Sequence, residues 1–379
     1  MRKYLTAAIA VSAVLAMSAC SSSKSGGGSS SSPAGSGGGG AAAGVAAAKA
    51  YEAQFLNTPT SIVINTPLTK KAPTGKTLIG LDSGLGSAKV LAQYWKQAAE
   101  EFGWTYKDLI SGATPEAQQK AMESAIQQSP DGILTSGIPI ATIQAQLAEA
   151  ASKGIWVNTS ASTDTATGAM FDTSIANPDQ LHEWGKMVAA FVVDQSNGKA
   201  VIQDFSLPVF PILEEFDKAF QAAIKVWCPT DCSVTEHPQQ GTDIGTKTPA
   251  NVVSVVQANP KTTWLVFDLG DLEIGVDAAL SAAGISGMHI GGLTADTPNI
   301  AGLKAKKQDV WTAYSLPIVA YRQVDSMARK FIGDPILNAT LPTQLLTQAN
   351  INSAVNDSGG NYVGVADYRT QFQKLWLLN

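Results

Sequence analysis

The chain has 379 residues, is 45% hydrophobic and 15% charged, and carries a formal net charge of -5, which suits a globular protein large enough for two lobes. An acidic balance, no basic cluster in the body, and arginine only at Arg2, Arg322, Arg329 and Arg369 argue against a partner whose phosphates must be neutralised, and so against nucleic acid.

The N-terminus reads as an export signal. Arg2 and Lys3 form a charged region, residues 5–15 an apolar one, and Met17-Ser18-Ala19-Cys20 a processing site. The apolar run is too short to be kept as a membrane-spanning helix. The pattern resembles a bacterial lipobox, which implies that residues 1–19 are removed and that Cys20 is diacylated, anchoring the protein on the outer side of the cell membrane. An ordinary secretory signal cleaved near Ala19 is the plainer alternative. Residues 20–44 are almost wholly Gly, Ser and Ala, a composition that buries no core and makes a flexible tether.

A docked extension follows, with a short helix over 46–56 and an extended piece over 61–65, and Pro67, Pro73 and Gly75 lead into the first strand. Gly75-Lys76-Thr77 superficially matches a phosphate-binding loop. Lys70 stands where its first glycine belongs, and the tripeptide precedes a strand instead of following one, so the motif is rejected.

The apolar run 77–81 reads as a buried strand, 82–87 as a loop and 88–102 as a helix ended by Gly103. Strands over 104–110, 132–135, 155–158 and 169–171 alternate with helices over 115–128 and 140–153. A second series follows Asn177, with helices over 181–194, 212–226, 249–258, 272–283, 298–305 and 318–332, and strands over 199–204, 233–236, 263–268, 288–293 and 310–314. Asp271 is placed as the N-cap of the 272–283 helix and Gly284 as its stop. A terminal helix over 368–377 carries Phe372, Leu375 and Trp376 on a face suited to packing across a lobe. Such alternation means parallel sheets covered on both faces, here in two lobes. Cys228 and Cys232, four residues apart in Cys-Pro-Thr-Asp-Cys, read first as a disulfide outside the cytoplasm; a metal site needs more ligands than nearby His237 supplies, and the spacing is not the redox Cys-x-x-Cys.

The order of elements resembles the type I periplasmic sugar-binding proteins. Phe102-Gly103, Asp131-Gly-Ile-Leu134, Ala151-Ser-Lys-Gly-Ile-Trp-Val157, Gly198-Lys-Ala-Val-Ile202, Leu265-Val-Phe267, Gly291-Gly-Leu293 and Tyr314-Ser-Leu-Pro317 carry the resemblance, over roughly residues 76–346. It implies an α/β fold of two Rossmann-like lobes with parallel sheets, joined by three hinge crossings near Thr173, Ser315 and Leu346. The N-terminal lobe then spans 45–173 and 316–346, and the C-terminal lobe 174–315 and 347–379 with the terminal helix. It further implies a protein that closes on a small molecule and hands it to an ABC-transporter permease; the sequence shows no metal constellation, and a monomer without cofactor is expected.

Ligand contacts come from loops beyond the strand ends. The candidates are Asp82, Ser83, Ser87, Ser136, Thr159, Ser162, Phe205, Phe210, Asp268, Asp271, Asp296 and Ser315, with Asp82 first among them. Asp271 reads equally as a helix cap, Phe205 and Phe210 read as cleft or core, and Trp95 and Trp104 are assigned to packing. The sugar-binding pattern is broken at three places: Leu85-Gly-Ser-Ala88 replaces an aromatic pair, Ala161-Ser162 an Asp-Arg pair, and Glu214 stands where an arginine is expected. The absence of arginine forks argues against bidentate capture of a carboxylate or phosphate. The expected ligand is therefore sugar-like, or a neutral or cationic compound with some apolar character.

Catalysis is disfavoured: histidine occurs only at His182, His237 and His289, with no triad order or metalloprotease motif, and Gly84-x-Gly86 lacks its third glycine at Lys89. A lipoprotein that senses the same ligand and presents it to a membrane receptor kinase needs the same cleft and anchor, and stays open as the alternative to transport.

Overall fold

The computed structural model describes residues 38–378. The predicted signal peptide, the lipidation of Cys20 and the tether up to residue 37 lie outside the described residues. From Gly38 the chain is helical: α1 (Gly38–Glu52) takes up residues predicted as tether. Alanine has the highest helix propensity of any residue, and this helix has a partner surface. It packs on α5 (Pro178–Gln195) and α6 (Pro211–Trp227). A Cβ on Gly44 would lie 2.0 Å from the Trp227 carbonyl oxygen, so glycine permits that close approach.

The first sheet is sorted by the alternation along β1 (Thr77–Asp82). Leu78 packs with Leu91 and Trp95 of α2 (Gly86–Glu101), whereas Ile79 and Leu81 join Met122 of α3 (Pro115–Gln127) and Ile143 of α4 (Ile140–Ser152). Both faces are thus covered, as continuous apolar parallel strands require. With β2 (Thr105–Ile110), β3 (Gly132–Ser136), β4 (Trp156–Ser160) and β5 (Met170–Ile175) the order is β2-β1-β3-β4-β5, all parallel. Gly80 leaves room for an aromatic ring: a Cβ there would lie 2.7 Å from Trp95.

The second sheet comprises β6 (Val201–Ser206), β7 (Ser233–Pro238), β8 (Trp264–Phe267), β9 (His289–Leu293), β10 (Val310–Tyr314) and β11 (Thr343–Thr347), in the order β11-β10-β9-β8-β6-β7. Its helices include α5 and α6, then α7 (Thr248–Ala258), α8 (Val276–Ala282) and α9 (Thr297–Lys304). Cys228 and Cys232 form a disulfide in the turn between α6 and β7. The fold class is therefore the expected one, two α/β lobes dominated by parallel pairing.

Several boundaries differ from the sequence reading. β11 was not foreseen; it pairs antiparallel with β10, so the chain has rejoined the second sheet by Thr343 and the third crossing precedes Leu346. The terminal helix α11 (Tyr368–Leu375) belongs to the first lobe instead of the second. Phe372 and Trp376 pack on Tyr321, Trp376 also meets Phe102, and the Leu375 carbonyl accepts from the Leu68 amide at 2.8 Å. An apolar face announces burial without saying against what.

Between the second and third crossings runs α10 (Leu316–Ile332), packed on α2, β4 and β5 of the first lobe. Its polar residues are buried and bonded. Arg329 Nε donates to Asp325 Oδ2 at 2.7 Å with both side chains at most 2% exposed, Arg329 Nη2 donates to the Thr66 carbonyl at 2.6 Å, and Trp376 Nε1 donates to Asp325 Oδ1 at 2.9 Å. Arg322 reaches the carbonyls of Leu337 and Ala339 at 2.9 and 3.2 Å, fixing the third crossing. Removing one member of a buried pair strands the other. Asp325→Ala is expected to lower unfolding free energy by about 3–5 kcal/mol in urea titration; a loss below about 1 kcal/mol would show that water takes over the arginine.

Candidate functional site

The carboxyl ends of both sheets face one another across a cavity of about 90 Å³. The first lobe contributes Leu85, Leu91, Trp95 and Ala161, with the hydroxyl-bearing Ser83, Ser87 and Ser136. The second contributes Phe210, Ile212, Leu213 and Leu269, and Tyr314 and Leu316 come from the middle crossing. No charged side chain is among the lining residues. Loop chemistry puts the serines there, at the ends of β1 and β3 and the start of α2. The apolar wall comes from Leu91 and Trp95 along α2 and from Ile212 and Leu213 in the first turn of α6.

The aromatic groups are held by partners outside the cavity. Trp95 Nε1 donates to the buried Gln323 Oε1 at 2.8 Å, which turns the indole body to the cavity. The Tyr314 ring stacks on Trp184 with centroids 4.3 Å apart. Its hydroxyl oxygen accepts from the Thr294 hydroxyl at 3.3 Å and keeps its own proton for a further acceptor, a proton bound more firmly because burial pushes the phenol up to about 12. Phe210 crosses to the first lobe: a Cβ on Gly137, which has φ of 73°, would lie 3.0 Å from its ring.

Of the predicted contacts, Ser83, Ser87, Ser136 and Phe210 line this cavity, and the others do not. Asp82 is buried and accepts from the Gly84 amide at 2.7 Å, bracing the loop after β1. Thr159 is buried within β4, its hydroxyl donating to the Ser160 carbonyl at 3.2 Å. Ser162 accepts from the Asp164 amide at 3.1 Å, and Ser315 caps α10 by accepting from the Ile318 amide at 3.2 Å. Phe205 belongs to the second core, stacked between Phe267 and His237 with centroids 5.3 Å from each. Asp268 accepts from the Leu207 amide at 2.6 Å. Asp296 lies beside the cavity, lining two neighbouring recesses, and its carboxyl is held well above the usual range by burial and then by the charge of Asp271.

Asp271 departs furthest from its expected role. Gly270–Glu273 is a 3-10 turn, and α8 starts only at Val276 after Gly275 in the left-handed region, φ 85°. The carboxylate therefore caps nothing in its own lobe. It reaches across to α2, accepting from the Gly86 amide at 2.8 Å, the Ser87 amide at 3.3 Å and the Ser87 hydroxyl at 2.6 Å. The sequence reading missed Leu91, Trp95, Leu213 and Tyr314 as lining residues. Tyr314 had a signal, as the last residue of a strand in the repeating series; Trp95, in the middle of a helix, had none beyond its size.

A family model described as a periplasmic binding protein domain matches residues 88–335. No curated protein sequence matches the chain. Among solved structures, an ABC sugar transporter subunit from Rhodobacter sphaeroides 2.4.1 is 20% identical, with 73% of this chain and 99% of that one covered and a TM-score of 0.63. An ABC transporter solute binding protein from Agrobacterium vitis, bound with alpha-D-tagatopyranose, is 17% identical over 77% of this chain and all 100% of its own, with a TM-score of 0.65. A protein from Mycobacterium smegmatis in complex with beta-D-fucofuranose is 19% identical over 81% and 97%, at a TM-score of 0.63. These likenesses are of fold.

Behind the second-lobe wall lies a layer of buried acids. Asp204 and Asp217 have no hydrogen-bond partner for any carboxylate oxygen, nor has Asp268 for Oδ1. Burial pushes Asp204 up to about 7, and burial with neighbouring carboxylates holds Asp217 and Asp268 well above their ordinary range. The folded protein thus keeps protons that the unfolded chain releases near pH 4. Stability from these groups is present below that pH and is lost as pH rises through about 7. Asp204→Asn should flatten this fall, gaining roughly 1–4 kcal/mol on wild type at pH 8 relative to pH 5 in urea unfolding; parallel pH profiles of the two proteins would contradict it.

Proposed function

From the premise that the chain belongs to the family of periplasmic binding protein domains, we propose that it is an extracytoplasmic solute-binding protein of an ABC importer, and that its interlobe cavity takes a small, neutral, largely apolar molecule carrying one or a few hydroxyls. The observation that supports this reading is the cavity lining: aliphatic and aromatic side chains from both lobes, serine hydroxyls, one tyrosine hydroxyl and no charge. Such a site gains affinity from buried apolar area and orientation from few polar groups. A monosaccharide, as bound by the Agrobacterium vitis and Mycobacterium smegmatis proteins, presents hydroxyls around its whole ring and leaves most of them unpaired here, at a cost for each. A cation is disfavoured because the carboxylates Asp82, Asp268 and Asp271 are engaged with backbone amides. Arg2, Lys3, the apolar run 5–15 and Cys20 support export and a lipid anchor, which keeps the binding domain beside its permease.

A thermal-shift screen of the purified protein against sugars, polyols, amines, nucleosides and neutral alicyclic or aromatic alcohols tests the assignment. At a hundredfold excess over its dissociation constant a ligand adds about 2.7 kcal/mol and raises Tm by a few degrees. Hits are expected among the neutral alcohols, and Ser136→Phe, which fills the cavity, should abolish them while the protein still melts cooperatively. Hits confined to monosaccharides or to amines would overturn the proposal.

A further inference from the structure

The start of α2 is an orphan within its own lobe. Leu85 stands at the N-cap and has no side-chain hydrogen bond to offer, so the first amides of the helix need an outside acceptor. That acceptor comes from the other lobe. Asp271 Oδ1 accepts from the Gly86 amide at 2.8 Å, and Oδ2 from the Ser87 amide at 3.3 Å and the Ser87 hydroxyl at 2.6 Å. A carboxylate at a helix N-terminus is favoured twice, by charge-assisted bonds and by the helix dipole.

We propose that Asp271 is an interlobe latch: the second lobe caps α2 of the first only when the lobes are together, and this cap, made to main chain and to Ser87, sets the balance between closed and open forms. The inference rests on the reading that the lobes open and close around the cavity. Three features support a latch over an incidental contact. Asp271 is buried at 2% exposure, so it is committed to this place. The residue it meets is glycine, and a Cβ on Gly86 would sit 2.7 Å from Oδ1, so a side chain at this position would displace the carboxylate. The turn carrying Asp271 is not the first turn of α8, because Gly275 delays that helix; in its own lobe the carboxylate faces the buried Asp296, and the amides it meets are those of α2. The latch closes the rim formed by Ser83, Leu85 and Ser87, and Phe210 over Gly137 closes the opposite one.

The test is made on the purified full chain without ligand, so that a failed ligand screen leaves it untouched. Spin labels on keto amino acids introduced at Lys120 and Lys261, exposed positions of the first and second lobes, report the interlobe distance by pulsed electron resonance. Wild type should give one distribution matching this structure. Asp271→Ala removes the acceptor. Gly86→Ala leaves Asp271 in place, adds a residue of higher helix propensity to α2, and blocks the approach sterically. Each is expected to lower the closed-to-open ratio about tenfold or more, and an unchanged or raised Tm in Gly86→Ala separates opening from unfolding. A wild type that is already open, or a closed distribution retained in either variant, overturns the latch.

Discussion

The buried pair between Asp325 and Arg329 is the point on which the first lobe turns. An unpaired charge at this depth is costly, so each group must be met, and the groups that meet them come from distant parts of the chain: the Thr66 carbonyl from the N-terminal strap and the Trp376 indole from the last helix. The rest of α10 follows the same rule. Gln323 joins the Trp95 indole to the Thr135 carbonyl at 2.8 and 3.0 Å, Ser326 donates to Asp172 at 2.7 Å, and Arg322 holds the third crossing. A helix whose polar face is consumed in this way fits in one register, and it ties the crossing segments to the first lobe.

The apolar character of the cavity has a related cause. Loops at the ends of strands carry polar residues, and those residues here satisfy backbone instead of facing the gap. Asp82 holds Gly84, Asp268 holds Leu207, Ser162 holds Asp164 and Ser315 starts α10. Each bond removes a potential ligand contact and stiffens a loop, leaving aliphatic side chains of α2 and α6 as the wall. The buried acids Asp204, Asp217 and Asp268 belong to the same lobe, and burial, which raises all three above the ordinary carboxyl range, lessens the charge they place near that wall.

The α/β order was legible because its signals are local. Buried strands are short apolar runs, and helices show apolar residues at helical spacing before stops such as Gly103 and Gly284. What failed needed partners far away in sequence. Asp271 looks like a cap to any local rule, and only the left-handed Gly275 reveals that its helix begins later. Phe205 and Phe210 lie five residues apart around the same loop, and one is core and the other cavity because β6 ends between them. The dock of α11 depends on Leu68, Phe102 and Tyr321, and the pairing of β11 on the free edge of β10, surfaces that no local pattern announces.

Specificity and closure converge on one element. The α2 helix carries Trp95, whose ring forms cavity wall, and Ser87, whose amide and hydroxyl bind Asp271 across the gap. A helix of this length transmits displacement along its axis as a nearly rigid rod, and its far end is held by packing on α10. The residues that shape the cavity wall and those that meet the second lobe across the gap thus share one element. A fold shared at 17–20% identity with an ABC sugar transporter subunit and a tagatopyranose-bound protein can keep its frame while the wall of its cavity differs.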